Sequence, residues 1–144
     1  FRGTFSRTAA QAVSGASLRE LMSLTRKSLL HRTPEGRFEV HELLRQYGEE
    51  KLEASPEDAE AVRDRYAGYY AAALQRWRRE MTGPRQKAAL AEMDVEIDNV
   101  QAAWRWMASR RSSAPASSPT SSSAARWLVR CRAAVSSPPW STRP

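Results

Sequence analysis

The sequence predicts a mainly helical chain interrupted once by a small β-hairpin. Three observations carry this. Apolar residues recur at spacings of three and four along several stretches. The turn-forming "TPEG" at residues 33–36 sits between two short runs of strand character. After residue 109 both patterns stop, and Ser, Ala, Pro and Arg take over. The chain therefore divides into residues 1–54, residues 55–109 and a tail over residues 110–144.

Residues 5–14 ("FSRTAAQAVS") predict a short helix, with Ser6 as N-cap and Phe5, Ala9, Ala12 and Val13 on one face. "SGAS" breaks it. Ser17 and Glu20 in "SLRE" then form a capping box. The helix they open carries Leu18, Leu21, Met22 and Thr25 on one stripe and ends near Lys27. "SLLHRTPEGRFEVH" reads as the hairpin. Pro34 suits an early turn position, Gly36 can take positive φ, and Leu30, Phe38 and Val40 face inward. "HELLRQYGEEKLEA" returns to helix with Leu43, Leu44, Tyr47 and Leu52 as its stripe. Gly48 lies inside it at a cost of ~1 kcal/mol relative to Ala.

"SPED" at residues 55–58 starts a long helix, with Ser55 as N-cap and Pro56 at the first helical position. Val62, Tyr66, Tyr69, Ala73 and Trp77 share its apolar face, and "TGP" at residues 82–84 ends it. The last helix has Leu90, Met93, Ile97, Val100, Trp104 and Met107 in a heptad-like seam. Two such helices with a short connection predict an antiparallel pair. The carboxylates of "EMDVEID" read as a solvated flank, and the aromatic stripe as core rather than a ligand box. Helices followed by a two-stranded wing suggest a winged-helix-like domain over residues 1–54, with the helical hairpin over 55–109 leading on from it.

Charge and chemistry narrow the function. The net charge is +7, yet all 16 acidic residues lie at or before Asp98. Residues 1–109 are thus nearly neutral, and the basic excess belongs to the arginines of the tail. The tail reads as solvated and disordered, with "AARWLVRCRAAV" at residues 124–135 as its one helical stretch. No run of about 18 apolar residues marks a membrane span. The single cysteine, Cys131, leaves no internal disulfide and no cysteine-based zinc cluster. Nor is there a P-loop pattern, a zinc helix ("HELLR" lacks the second histidine) or a Ser–His–Asp arrangement. The expectation is a cytoplasmic, non-catalytic chain without a metal or cofactor of its own.

His41 is the residue that invites a function. It stands where a strand runs into a helix, and helix N-termini favour anions. A neutral imidazole can donate one hydrogen bond to a phosphate oxygen. The plain alternative is a helix-terminal residue bonded to its own backbone. His31, on the first hairpin strand, reads as a surface residue.

At this point the residues resemble a known family. "SLRELMSLTRKSLLHRTPEGRFEVHELLRQYGEEKL" is similar to the winged-helix segment that follows the nucleotide-binding domain in bacterial STAND ATPases of the NB-ARC type, which include LuxR-type and antibiotic-pathway transcriptional regulators. "EIDNVQAAWRWM" at residues 96–107 is similar to that family's entry into its helical repeats. The resemblance covers about residues 1–109. It implies a regulatory module that packs on the nucleotide-binding domain of the same full-length protein and connects to a helical-repeat sensor region. "VHE" matches the family's Met-His-Asp motif as Val40, His41 and Glu42. Val40 keeps an apolar anchor, His41 is implied to contact the β-phosphate of ADP, and Glu42 keeps the charge on a longer arm. ADP or ATP is implied only together with an upstream nucleotide-binding domain.

A chain that opens on Phe1 and leaves the family pattern near Ser109 is expected to be a fragment, and residues 110–144 read as a disordered tail, as a basic arm for nucleic acid or acidic surfaces, or as a frame-shifted product. An alternative function is direct DNA binding, with Arg19, Arg26 and Lys27 on the second helix and Arg32 and Arg37 on the wing as contacts. A plain helical adaptor without any nucleotide link is the third reading.

Overall fold

A computed structural model of the chain describes residues 1–113, with side chains as far as residue 110. The order of elements is β1 (Thr4–Phe5), α1 (Arg7–Ser14), α2 (Leu18–Arg26), β2 (Leu30–Arg32), β3 (Phe38–Val40), α3 (Glu42–Glu53), α4 (Pro56–Glu80) and α5 (Gln86–Ser113). The structure is mainly helical with one small three-stranded antiparallel sheet, ordered β1-β3-β2. Residues Phe1–Arg111 form one compact unit, so the boundary expected at residue 54 falls inside it. The readings made for residues 114–144, including the helix at 124–135 and the role of Cys131, lie outside the described residues.

Local chemistry accounts for most element ends. Ser6 caps α1 by accepting a bond from the Ala9 amide at 3.1 Å, and Gly15 closes it at φ 75°. Ser17 and Glu20 form the reciprocal capping box of α2. That helix ends on Ser28 at φ 58°, an unusual conformation for a residue with a Cβ, and the Leu29 amide bonds back to the Leu24 carbonyl at 3.0 Å. In the hairpin turn Gly36 takes φ 79°, and its amide reaches the Thr33 carbonyl at 2.9 Å. β3 then pairs with β2 through Leu30–Val40, His31–Glu39 and Arg32–Phe38.

The N-terminal strand departs from expectation. Phe5 is not on the first helix but on β1, paired with Phe38 across the sheet. The extended backbone that Ser6 adopts as N-cap, at ψ 160°, leaves the preceding residues extended, and β3 offers them a free edge. Phe5 is buried all the same. It joins Ala9, Ala10, Leu21, Leu30 and Phe38 in one apolar cluster, against which Phe1, Val40 and Tyr69 pack. Ala12, expected on the same face, is exposed.

Two helices bury different faces from those expected. α3 buries no residue, and Leu43 and Tyr47 are 68% and 58% exposed. Its inward side is formed by Leu44, Arg45, Glu49 and Leu52, so half of that face is charged. Gly48 faces open space. In α5 the buried positions are Ala89, Met93, Glu96, Asn99, Val100 and Ala103. Met93 and Val100 agree with the predicted seam, but Leu90, Ile97, Trp104 and Met107 are only half-buried. The small Ala89 and Ala103 and the polar pair between them turn the stripe by about one position. α5 also continues through Ser113, past the expected end at residue 109, and Arg110 ties that last part to Glu60 and Asp64 on α4.

Side-chain bonds link α4 and α5 in opposite directions. Trp106 Nε1 donates to Asp64, Tyr66 to Asn99, Tyr70 to Glu96, and Trp77 Nε1 to Glu92. Expected core residues Ala73 and Trp77 are buried, as are Ala59, Ala67 and Tyr70. Val62, Tyr66 and Tyr69 are partly covered.

Candidate functional site

The end of α2, the strands β2 and β3 and the start of α3 enclose a groove of about 810 Å³. His31, Arg32, Val40, His41, Glu42 and Arg45 are among its lining residues. The three residues singled out from the sequence, Val40, His41 and Glu42, therefore meet at one concave surface, together with His31, which had no assigned role.

Each of the three has a distinct local function. Val40 is the last residue of β3 and packs against the apolar cluster, which fixes the strand end. His41 is the N-cap of α3, with its ring exposed. The Leu43 amide donates to His41 Nδ1 at 3.4 Å. A neutral imidazole that accepts at Nδ1 carries its proton on Nε2, which makes Nε2 a donor directed away from the cap. The local backbone bond and an outward donor therefore coexist in one ring.

Glu42 turns back along its own helix. Its carboxylate accepts two bonds from Arg45, at 2.6 and 2.8 Å, and one from Gln46 at 3.0 Å. The Arg45 bonds first, and the Gln46 bond after them, hold the Glu42 carboxyl down at about 2. Arg45 in turn donates to Glu49 at 2.6 Å, and its own pKa is raised by these same carboxylates. Arg2 approaches Glu49 at 3.7 Å. The negative charge of Glu42 beside His41 is thus neutralised locally, and a longer acidic arm is what allows it to reach Arg45.

The cations of the DNA-contact reading do not act alike. Arg19, Arg26, Lys27 and Arg32 are exposed. Arg37 is turned inward: it donates to Glu96 at 2.6 Å, to the Thr4 hydroxyl at 2.9 Å and to the Thr4 carbonyl at 3.0 Å. Its guanidinium is committed to the interior and is not a surface cation in this structure.

Glu96 corrects the reading of "EMDVEID" as a solvated flank. It is only 7% exposed, and Asn99 beside it is fully buried. Glu96 accepts from Arg37, from the Tyr70 hydroxyl at 2.9 Å and from Asn99 at 2.9 Å. The same Asn99 amide donates to the Thr4 carbonyl at 2.9 Å, while its oxygen accepts from the Arg2 amide at 2.7 Å and the Tyr66 hydroxyl at 2.9 Å. Burial and the nearby Glu96 carboxylate raise the pKa of both tyrosines well above the usual phenol value. Sequence reasoning missed this cluster. Its signal was a Glu and an Asn three apart within the apolar seam of α5, opposite two tyrosines four apart on α4.

Among the described residues no group of three or more His, Cys, Asp or Glu side chains could hold a metal ion, and no helix is long and apolar enough to cross a membrane. Comparison of the chain with protein-family models, with curated proteins and with solved structures finds no match in any of the three.

Proposed function

We propose that residues 1–109 form a non-catalytic regulatory module of a STAND-type ATPase regulator, acting in the cytoplasm. A winged-helix-like part over residues 1–54 and a helical hairpin over residues 55–109 would pack on a nucleotide-binding domain of the same protein and lead on to a helical-repeat sensor region. The groove beside the hairpin receives the phosphate end of ADP held by that neighbouring domain. His41 supplies the donor, and the chain has no nucleotide site of its own.

One observation carries this reading. The exposed His41 ring lines the groove, and the Leu43 amide occupies its Nδ1, which leaves the proton on Nε2 free of the cap. Arg32 adds an exposed positive charge along the same wall. Arg45 removes the repulsion that Glu42 would otherwise exert on a phosphate. A donor reaching ADP from a separate domain favours one domain arrangement over another, which is the requirement for a nucleotide-dependent switch.

The test is a titration of the isotope-labelled full chain, together with a STAND-type nucleotide-binding domain, with ADP, followed by amide and side-chain NMR shifts. The reading predicts weak, saturable changes confined to Arg32, Val40, His41 and Glu42, and their loss in His41→Ala. Changes that persist in His41→Ala, or none at all, contradict it. The exposure of Arg19, Arg26, Lys27 and Arg32 keeps direct DNA binding as the second reading. It predicts salt-dependent shifts at those four residues on adding a short duplex, with Arg37 unmoved.

A further inference from the structure

The apolar interior of Phe1–Arg111 falls into two sets, which are joined by aromatic contacts and by a polar layer. One set is the cluster of Phe5, Ala9, Ala10, Leu21, Leu30 and Phe38, to which α4 contributes only the partly buried Tyr69. The remaining buried apolar side chains, Val13 excepted, all belong to α4 and α5. α1 lies against α4 and is one connection between the two halves, with the Arg65 guanidinium donating to the Val13 carbonyl at 2.8 Å. A second is aromatic, with Tyr69 edge-on to Tyr70 at 5.1 Å and Phe1 against Tyr66 at 5.5 Å, and a third is the layer formed by Thr4, Arg37, Tyr66, Tyr70, Glu96 and Asn99.

Nearly every bonding position at the centre of this layer is used. The Glu96 carboxylate takes three donors, and the Asn99 side chain donates twice and accepts twice. Such a layer differs physically from an apolar joint. Closing it exchanges water for protein partners around an ion pair, and the desolvation cost nearly offsets the attraction. It is also strict in register, since a half-made network leaves buried groups unpaired. Opening such a joint exchanges its bonds for water, so a minor open, hydrated state lies within reach of the closed, bonded one.

The position of Arg37 gives this a direction. It follows the hairpin turn directly and precedes β3, so a displacement of the hairpin moves Arg37 together with its neighbour Phe38. Glu96 receives that displacement at the middle of α5.

We propose that the layer centred on Arg37, Glu96, Asn99 and Thr4 is a reversible clasp. It docks the sheet and the first two helices onto the α4–α5 pair, and its opening passes a movement of the hairpin to α5. This does not depend on what occupies the groove beside His41.

The experiment is a distance measurement between spin labels on the full chain. Cys131→Ser removes the native thiol, and labels are placed at Glu35→Cys on the hairpin turn and Asp94→Cys on the exposed side of α5. The chain with an intact clasp gives one narrow distance. Glu96→Gln and Arg37→Met each leave one partner unpaired, and each raises the open population on the order of a hundredfold. This appears as a second, longer distance while the helical circular dichroism is unchanged. A single narrow distance in both variants overturns the proposal, because the layer is then passive packing. Loss of helical signal together with the defined distance also overturns it, because the two halves then form one cooperative unit.

Discussion

At Tyr70 the hydroxyl proton points at a buried carboxylate, and removing it would place two negative charges side by side. The sign of the resulting pH dependence follows directly. The folded pKa of Tyr70, and that of Tyr66, lies above the unfolded value of 10.0, so the folded state resists ionisation. The stability from both hydroxyls is fully present below about pH 10 and is lost as pH rises beyond it. Urea unfolding between pH 9 and 11 should therefore show falling stability, with a shallower fall in Tyr70→Phe. At neutral pH the same substitution should cost about 1–3 kcal/mol, since it leaves Glu96 short of a donor. Glu42 behaves in the opposite sense. Its folded pKa is depressed to about 2, so the link to Arg45 persists above the ordinary carboxylate range and is lost as pH falls through that value. Carboxyl-carbon NMR should find the Glu42 midpoint near 2, and clearly higher in Arg45→Ala, where the Gln46 bond remains. Of these residues, His41 was legible in the sequence because a strand-to-helix junction names its own N-cap. Glu96 was not, because a carboxylate gives no sign of burial until its partners are known. Two of those partners, Arg37 and Tyr70, come from elsewhere in the chain.

Among the elements, those bounded by local chemistry were the readable ones. The capping box at Ser17 and Glu20 and the Thr-Pro-Glu-Gly turn each set an end through bonds within a few residues, while at α4 the fixed φ of Pro56 sets the start and Ser55 makes no side-chain cap bond. Ser17→Ala should accordingly cost about 1 kcal/mol in thermal or urea unfolding. Ser28 is the converse case. It ends α2 in the left-handed conformation that glycine adopts freely, and Ser28→Gly should stabilise the chain by about 0.5–1 kcal/mol, read as a raised urea midpoint. β1 was not legible, because a two-residue strand carries no periodicity and exists only through its pairing with β3. The faces of α3 and α5 were misjudged for a related reason. Counting apolar residues alone ignores that Arg45 and Glu49, or Glu96 and Asn99, become interior groups once paired with each other or with neighbours.

For the molecule as a whole, the groove and the polar layer lie at the two ends of the same short strand. β3 ends in Val40 and His41 at the groove and is preceded by Arg37 at Glu96. Under the proposed function, this three-residue strand links His41 at the groove to the Arg37–Glu96 ion pair, and occupancy of the groove would bias how the helical pair is held. The account rests on the tautomer of His41, which an imidazole nitrogen NMR spectrum of the full chain at mildly alkaline pH reads directly. The expected spectrum has a proton on Nε2 and an acceptor at Nδ1, and the Nε2 resonance shifts when an ADP-loaded nucleotide-binding domain of the STAND type is added. A proton on Nδ1, or an Nε2 signal indifferent to that ADP-loaded domain, would contradict it.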